Sequence, residues 1–119
     1  MRPASAKSKG RRLQQAVMRA VLATFPPLTP DDVTSRSMGA SGTDLLLSSF
    51  AKRLFPYAVE VKCQERVNLW AALEQARENA GGMTPLVVLA RNQQAPVAVV
   101  DLQEFLWLAH RARGAGGNG

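Results

Sequence analysis

Apolar residues recur at helical spacing near the start of the chain. Spacings of three and four residues place side chains on one face of a helix. Between Lys9 and Thr24 this spacing is shown by Leu13, Ala16, Val17, Ala20 and Val21. Pro26 and Pro27 follow and cannot continue a helix. The pattern predicts a helix over residues 9–24, with its arginines on the outer face.

The middle of the chain alternates with a period of two. Val59 and Val61 are separated by Glu60, and Lys62 follows, so Glu60 and Lys62 share one face of a predicted strand. Thr43–Leu47 is expected to be an antiparallel partner strand, with Ser48–Pro56 turning the chain back. That pairing would bring Asp44 beside Glu60. Residues 33–37 form a further short candidate strand.

The second half of the chain predicts two helices and two strands. Asn68 can cap a helix that ends near Ala80, and an apolar run from Thr84 to Ala90 is expected to lie parallel to the Glu60 strand. Residues 96–100 predict an edge strand. The last helix, over 102–111, has more apolar residues than one core-facing stripe needs, which makes the surplus a candidate dimer surface. Trp70, in the earlier helix, is expected in the core, with a partner surface as the alternative. The predicted order is αβββαββα, an α/β fold with a mixed sheet flanked by helices.

Length and composition favour one domain over residues 9–111. Residues 1–8 are small and basic, residues 112–119 are rich in glycine, and both are expected to be flexible tails. The single cysteine, Cys63, excludes an internal disulfide and favours a reducing compartment. No apolar run is long enough to span a membrane, so we expect a cytoplasmic protein.

The formal charge of +6 favours a polyanionic partner. Residues 1–30 contain no acidic residue, and their basic residues are Arg2, Lys7, Lys9, Arg11, Arg12 and Arg19. Concentrated positive charge of this kind attracts a phosphate backbone. A solubilising appendage is the alternative reading of the same charges.

Asp44, Glu60 and Lys62 are candidates for metal-assisted hydrolysis. Two carboxylates suit Mg2+, which takes its remaining ligands from water, substrate phosphate and backbone carbonyls such as that of Val61. Lys62 could hold or help deprotonate the attacking water. An ordinary cross-strand ion pair on a solvated strand face is the alternative.

The order of motifs resembles the PD-(D/E)xK nuclease superfamily and, within it, phage-encoded archaeal-type Holliday junction resolvases. The resemblance covers about residues 7–108 and is carried by KGRRLQQ, DDVTSRSMGASGTDLLLS, FPYAVEVKCQERVNLWAALEQA and PLVVLARN. It implies a restriction-endonuclease-like sheet of about five strands, with Gln75 assisting at the metal. Members of this family carry a glutamate in the first helix, where this chain has Gln14 and Gln15.

The resemblance also implies a function and partners. The expected activity is a Mg2+-dependent endodeoxyribonuclease that resolves four-way DNA junctions as a homodimer, with Mn2+ substituting and no organic cofactor. The glycine-bearing loop with Gly39 and Gly42 is expected to lie against DNA. The candidate DNA contacts are Lys7, Lys9, Arg11, Arg12, Arg36, Ser37 and Ser41.

Two alternatives stay open at this point. The same residues would serve a related nuclease that cuts flaps, forks or other recombination intermediates. A non-catalytic DNA-binding accessory protein could retain the fold. In each case recognition is expected to depend on DNA shape and backbone rather than base edges, because no groove-reading helix is evident.

Overall fold

The chain is a mixed α/β protein, and its computed structural model describes residues 6–37 and 40–115. Four helices and two sheets form within these residues. Their order is αββαβαββα, so the expected order lacked one helix. The elements are α1 Ala6–Thr24, β1 Val33–Ser35, β2 Leu45–Leu47, α2 Ser49–Leu54, β3 Tyr57–Cys63, α3 Leu69–Glu78, β4 Thr84–Ala90, β5 Val97–Val99 and α4 Leu102–Ala115.

The larger sheet has the strand order β3-β4-β5. β3 and β4 run parallel, with Glu60 opposite Val87, and β5 pairs antiparallel to β4. The predicted run from Thr84 to Ala90 and its parallel orientation are therefore confirmed. Asn68 accepts a 3.1 Å hydrogen bond from the Ala71 N–H and caps α3, as its sequence predicts.

The smaller sheet pairs β1 with β2, antiparallel, with Val33 opposite Leu47. The expected pairing of Thr43–Leu47 with the Glu60 strand is present only as one backbone bond, from the Asp44 N–H to the Val59 carbonyl, and β2 and β3 lie in separate sheets. The connection after β2 is not a simple return loop, because Ser48 accepts a 3.0 Å bond from the Ala51 N–H and begins α2. Leu45 and Leu47 of β2 pack with Val33 in the core beneath α1, whereas Leu46 is exposed.

The larger sheet lies between two apolar clusters. The cluster on the α1 side contains Val21, Leu28, Val33, Leu45, Ala51, Val59 and Val88. The cluster on the α3 side contains Ala72, Leu73, Ala76 and Val87. Val87 and Val88 thus face opposite sides, as the pleat requires. Glu60 pairs in register with Val87 and therefore lies on the α3 face, at the edge strand β3.

Both terminal helices extend beyond their predicted bounds. α1 begins at Ala6, so residues 6–8 of the expected tail are helical, and residues 1–5 lie outside the described part. Its buried residues are Leu13, Gln14 and Val21, whereas Ala16 and Ala20 are exposed, so the buried face is rotated from the predicted stripe. α4 continues to Ala115, into the expected glycine-rich tail, and residues 116–119 lie outside the description.

Large apolar side chains lie at the surface in several elements, and those outside α3 and α4 are Leu46, Phe50, Leu54 and Val97. Trp70 is 74% exposed, so its predicted place in the core is wrong. It sits in the first turn of α3, on the side away from Ala72 and Ala76. The exposed apolar residues of α4 are Leu102, Phe105, Leu106, Trp107 and Leu108. None of the helices in the described ranges is long and apolar enough to cross a membrane.

Candidate active site

Asp44 is fixed at the open edge of β3. Its backbone N–H donates a 2.9 Å bond to the Val59 carbonyl, and its Oδ2 accepts a 2.6 Å bond from the Val61 N–H. Its own carbonyl accepts a 2.8 Å bond from the Arg36 N–H, which extends the β1-β2 pairing. Asp44 therefore joins the two sheets, and its carboxylate is held beside the strand that carries Glu60.

Glu60 is buried without full compensation. The residue is 5% exposed, and its Oε2 has no hydrogen-bond partner within the described residues. Lys62 Nζ lies 3.8 Å from the other carboxylate oxygen, Oε1. A buried oxygen with no partner costs free energy. Such a carboxylate is poised to take up a proton or a cation.

The surroundings of Glu60 raise its pKa to about 7. Burial is the largest cause, and the negative charge of Asp44 adds to it. The Lys62 ammonium and the side chain of Asn79 act in the opposite direction. Removal of water and a second carboxylate both disfavour the ionised form. A bound cation would favour that form.

Asp44, Glu60 and Lys62 line one pocket of about 200 Å3 together with Gln14. Gln14 is 4% exposed and reaches the pocket from α1. Gln15 is half-buried and lines the neighbouring groove instead. Of the two glutamines, Gln14 therefore borders the pocket of the two carboxylates, and it contributes an amide where an acid would add charge.

The neighbouring groove is basic. It has a volume of about 360 Å3, and Lys7, Arg11, Arg36 and Ser37 lie along it. The Arg36 Nε donates a 2.5 Å bond to the Thr43 carbonyl. Gly42 has φ +103°, and a Cβ there would come within 2.9 Å of the Arg36 guanidinium. Glycine at this position therefore allows both the turn and the close approach of Arg36.

Other predicted site residues are more dispersed. Lys9 Nζ donates a 3.1 Å bond to Asn92 Oδ1, on the side of the site away from Arg36. Arg12 and Ser41 are exposed and line neither the pocket nor the basic groove. Gly39, expected in the DNA-facing loop, lies outside the described residues.

Gln75 is exposed on α3 and does not line the carboxylate pocket. Asn79, at the C-cap of the same helix, influences the pKa of Glu60. Sequence reasoning missed Asn79. The available signal was helical spacing, because Asn79 follows Gln75 by one turn and lies closer to the face that Ala76 buries against the sheet.

The donor set fits one hard divalent cation. Glu60 supplies an oxygen without a partner, and Asp44 supplies its second oxygen, Oδ1. In a strand the N–H and C=O of one residue point to the same edge. The Val61 carbonyl is therefore directed to the edge where its N–H meets Asp44. Among the described residues no group of three or more His, Cys, Asp or Glu side chains is placed to hold a metal ion. Water or phosphate oxygens would complete the shell.

The sequence matches no protein-family model and no curated protein, and the structure matches no solved structure.

Proposed function

We propose that this chain is a Mg2+-dependent endodeoxyribonuclease for branched DNA, with a four-way junction as its substrate. The observation that carries the proposal is the buried Oε2 of Glu60, which has no hydrogen-bond partner among the described residues and shares a pocket with Asp44. The other oxygen of Glu60, Oε1, lies 3.8 Å from Lys62 Nζ. A buried carboxylate without a partner, next to a second carboxylate, makes the folded protein less stable, and such costly arrangements are typical of functional centres. The motif order described above supports the choice of a resolvase among nucleases.

Asp44, Glu60 and the Val61 carbonyl would hold the cation, and Mn2+ would accept the same oxygen ligands. The bound ion supplies charge stabilisation at the attacked phosphorus and lowers the pKa of a bound water. Asp44 is oriented for this role by the Val61 N–H, and Glu60 is kept from solvent by the sheet and α3.

Lys62 would position the water that attacks phosphorus. Its Nζ can donate a hydrogen bond to that water while remaining near Glu60. Gln14 can donate from its amide to a phosphate oxygen in the same pocket, without adding negative charge that would repel DNA. Gln75, expected to assist, would need DNA or a partner chain to bring it near the pocket.

The basic groove would hold the DNA backbone next to the pocket. Lys7, Arg11 and Arg36 line it, and Ser37 offers a hydroxyl. Ordered arginines and serines of this kind typically bind phosphate oxygens and set the register of DNA without reading its bases. The groove and the carboxylate pocket both border Gln14, so a strand lying in the groove continues to the carboxylates.

The finer architecture belongs to the same proposal. The Asp44 N–H to Val59 bond connects the β1-β2 hairpin to the edge of β3. A few further bonds along that edge would unite the five strands into a restriction-endonuclease-like sheet. The metal would favour that arrangement because it draws Asp44 toward Glu60.

We propose a second copy of the chain as the partner of α4. Glu104, half-buried, faces the domain and accepts a hydrogen bond from the Tyr57 hydroxyl. Leu102, Phe105 and Leu106 are 69%, 58% and 50% exposed. Helical geometry puts Leu102 and Leu106 on the side opposite Glu104, with Phe105 beside them. A two-fold pair of α4 helices would cover this stripe and present two equivalent sites, as paired cutting of a four-way junction requires.

Cleavage of three labelled DNAs tests the function. A four-way junction, a flap and a linear duplex are each incubated with Mg2+ and with chelator. Paired symmetric nicks in the junction support the resolvase. Preferential flap cutting supports the related nuclease. Binding without cleavage under any divalent metal would leave the accessory DNA-binding protein.

A further inference from the structure

A cleft of about 310 Å3 opens beside the carboxylate pocket, at the carboxyl ends of β3 and β4. Val67, Leu89, Ala90 and Val97 give it apolar walls. This volume is about ten times the roughly 30 Å3 share of one water molecule in the liquid. The cleft therefore has room for a flat ring system, and its walls suit an apolar ring face.

Four polar side chains border these apolar walls, and one of them, Glu65, accepts a hydrogen bond from the Asn92 N–H. Gln64 and Gln94 carry amides that can both donate and accept hydrogen bonds, and Arg91 carries a guanidinium. A ligand that combines an apolar face with donors and acceptors on its edge would match both features. Nucleobases have this character.

Gln64 borders both the cleft and the carboxylate pocket. Its backbone N–H donates a 3.2 Å bond to the Ala90 carbonyl, which continues the β3-β4 pairing beyond Cys63. The cleft and the carboxylate pocket therefore share a wall at Gln64, which lies four residues along the chain from Glu60. A nucleotide whose phosphate lies at Asp44 and Glu60 could extend its base, or that of a neighbour, toward the cleft.

The far wall of the cleft is held in place by contacts on two sides. The Asn92 N–H donates a 3.1 Å bond to Glu65 Oε1, and Lys9 Nζ donates a 3.1 Å bond to Asn92 Oδ1. Gln93, next in the same turn, has φ +61°, a conformation that costs a non-glycine residue free energy. These contacts hold the turn so that the cleft is present before a ligand binds.

We infer that this cleft receives one unstacked nucleobase at the branch point of the DNA substrate. The inference rests on the proposed function and adds to it a base-sized recognition site beside the cleavage chemistry. A base at a branch has lost part of its stacking and pairing, so its removal from the helix costs less than in a continuous duplex. The cleft would thereby favour branched over linear DNA.

The test uses a four-way junction with 2-aminopurine placed in turn at each position next to the branch. Binding is measured with chelator present so that no cleavage occurs. At one position the wild-type protein is expected to change the emission at least about twofold, because the base leaves its stacked neighbours. Ala95→Trp, which fills the cleft from its exposed rim, and Gln94→Ala are each expected to reduce that change by half or more. Gln103→Ala, a matched substitution on α4, is expected to leave it unchanged.

Thermal unfolding of each variant verifies that it folds, and Gln94→Ala keeps the test decisive if Ala95→Trp does not. Junction binding and cutting with no emission change at any branch position would overturn the inference and leave the proposed function standing. An emission change that persists in both cleft variants would also overturn it. Failure of the wild-type protein to bind branched DNA would overturn the inference and the proposed function together.

Discussion

The Val61 N–H donates a 2.6 Å hydrogen bond to Oδ2 of Asp44, a residue 17 positions earlier in the chain. Val61 directly follows Glu60, so this bond, together with the one from the Asp44 N–H to the Val59 carbonyl, holds the Asp44 carboxylate beside the strand of Glu60. It also directs the other Asp44 oxygen away from the strand backbone. The candidate site depends more on this backbone-to-side-chain hydrogen bond than on any contact between side chains.

Asp44→Asn is expected to abolish cutting while leaving junction affinity the same or higher. Asparagine keeps an oxygen that can accept a hydrogen bond from the Val61 N–H, so the fold should survive. The negative charge of the carboxylate, which would bind the cation, is lost. Since the metal supplies several kcal/mol of transition-state stabilisation, a rate loss of about 1000-fold or more is expected. Gel-shift titrations and single-turnover cleavage measure the two effects separately. Lower affinity with unchanged cutting per bound complex would contradict the assignment of Asp44.

Glu60 should make the metal-free protein less stable as pH rises. Its folded pKa, about 7, lies above the ordinary value of 4.5. The neutral carboxyl is therefore favoured by the fold, and this advantage is complete below pH 4.5 and lost as pH increases through 7. The loss is at most about 3 kcal/mol. Glu60→Gln should not show it.

Urea unfolding with chelator at pH 5 and pH 8 measures the difference between wild type and Glu60→Gln. Other titrating groups are common to both proteins and cancel in the comparison. Parallel stability changes in the two proteins between these pH values would show that Glu60 has an ordinary pKa.

Gln14→Glu is expected to tighten Mg2+ binding. Gln14 is buried in the carboxylate pocket, so a third negative charge there would act at short range in a site with little water. A gain of about tenfold, or ~1.4 kcal/mol, is expected. Calorimetric titration, or the rise in melting temperature with Mg2+, measures it. Gln15→Glu is the matched control because Gln15 lines the adjacent groove. Equal gains in Mg2+ affinity for both variants would show that the ion does not bind beside Gln14, or that the added charge acts without regard to its position.

The sequence could predict elements whose signals are local. The strand Thr84–Ala90 is a continuous apolar run, and α3 has a cap at Asn68 and a regular stripe. The partner of β2 was not predictable in the same way. Leu45–Leu47 has no alternation to mark a buried face, and its pairing is decided by packing with Val33, which lies outside the local sequence pattern. α2 is six residues long and is stabilised by Ser48 and the buried Ala51.

In the candidate site, too, some features have local sequence signals and others are set by tertiary packing. Asp44 and Glu60 could be identified because residue type and motif order mark them. The choice between Gln14 and Gln15 depended on the rotation of α1 about its axis, which tertiary packing sets. Asn79 was missed because it lies at the end of α3, and helix ends are the least certain part of a sequence-based assignment. The conformation of the last turn decides where the Asn79 side chain points.

Arg11→Ala should reduce the salt dependence of DNA binding. Each phosphate contact contributes about 0.9 to the slope of log affinity against log salt concentration, and Arg11 lines the basic groove. Arg12→Ala removes the same charge from an exposed position outside that groove and is expected to change the slope less. Fluorescence anisotropy over a series of salt concentrations measures both slopes. Equal changes would mean that only the overall field of α1 matters.

Leu106→Glu is expected to dissociate the proposed dimer. The change places a charge in the centre of the exposed α4 stripe, where a partner helix would bury it at a cost of several kcal/mol. Gln103→Glu adds the same charge outside the stripe and should leave the assembly intact. Sedimentation velocity reports the mass, and junction cleavage reports whether paired nicks become single. If the wild-type protein is a monomer and still makes paired nicks, pairing of α4 helices is not needed for paired cutting.

Val87 faces Glu60 across a parallel strand pair, and such a pair forms only after the intervening helix has been made. A nascent chain that ends before β4 lacks the strand that pairs with the other edge of β3, and it lacks Val87, which packs beside Glu60 on the α3 side. The proposed cutting activity would therefore begin only after β4 has been made. Fragments released early from the ribosome would be harmless to the nucleic acids around them.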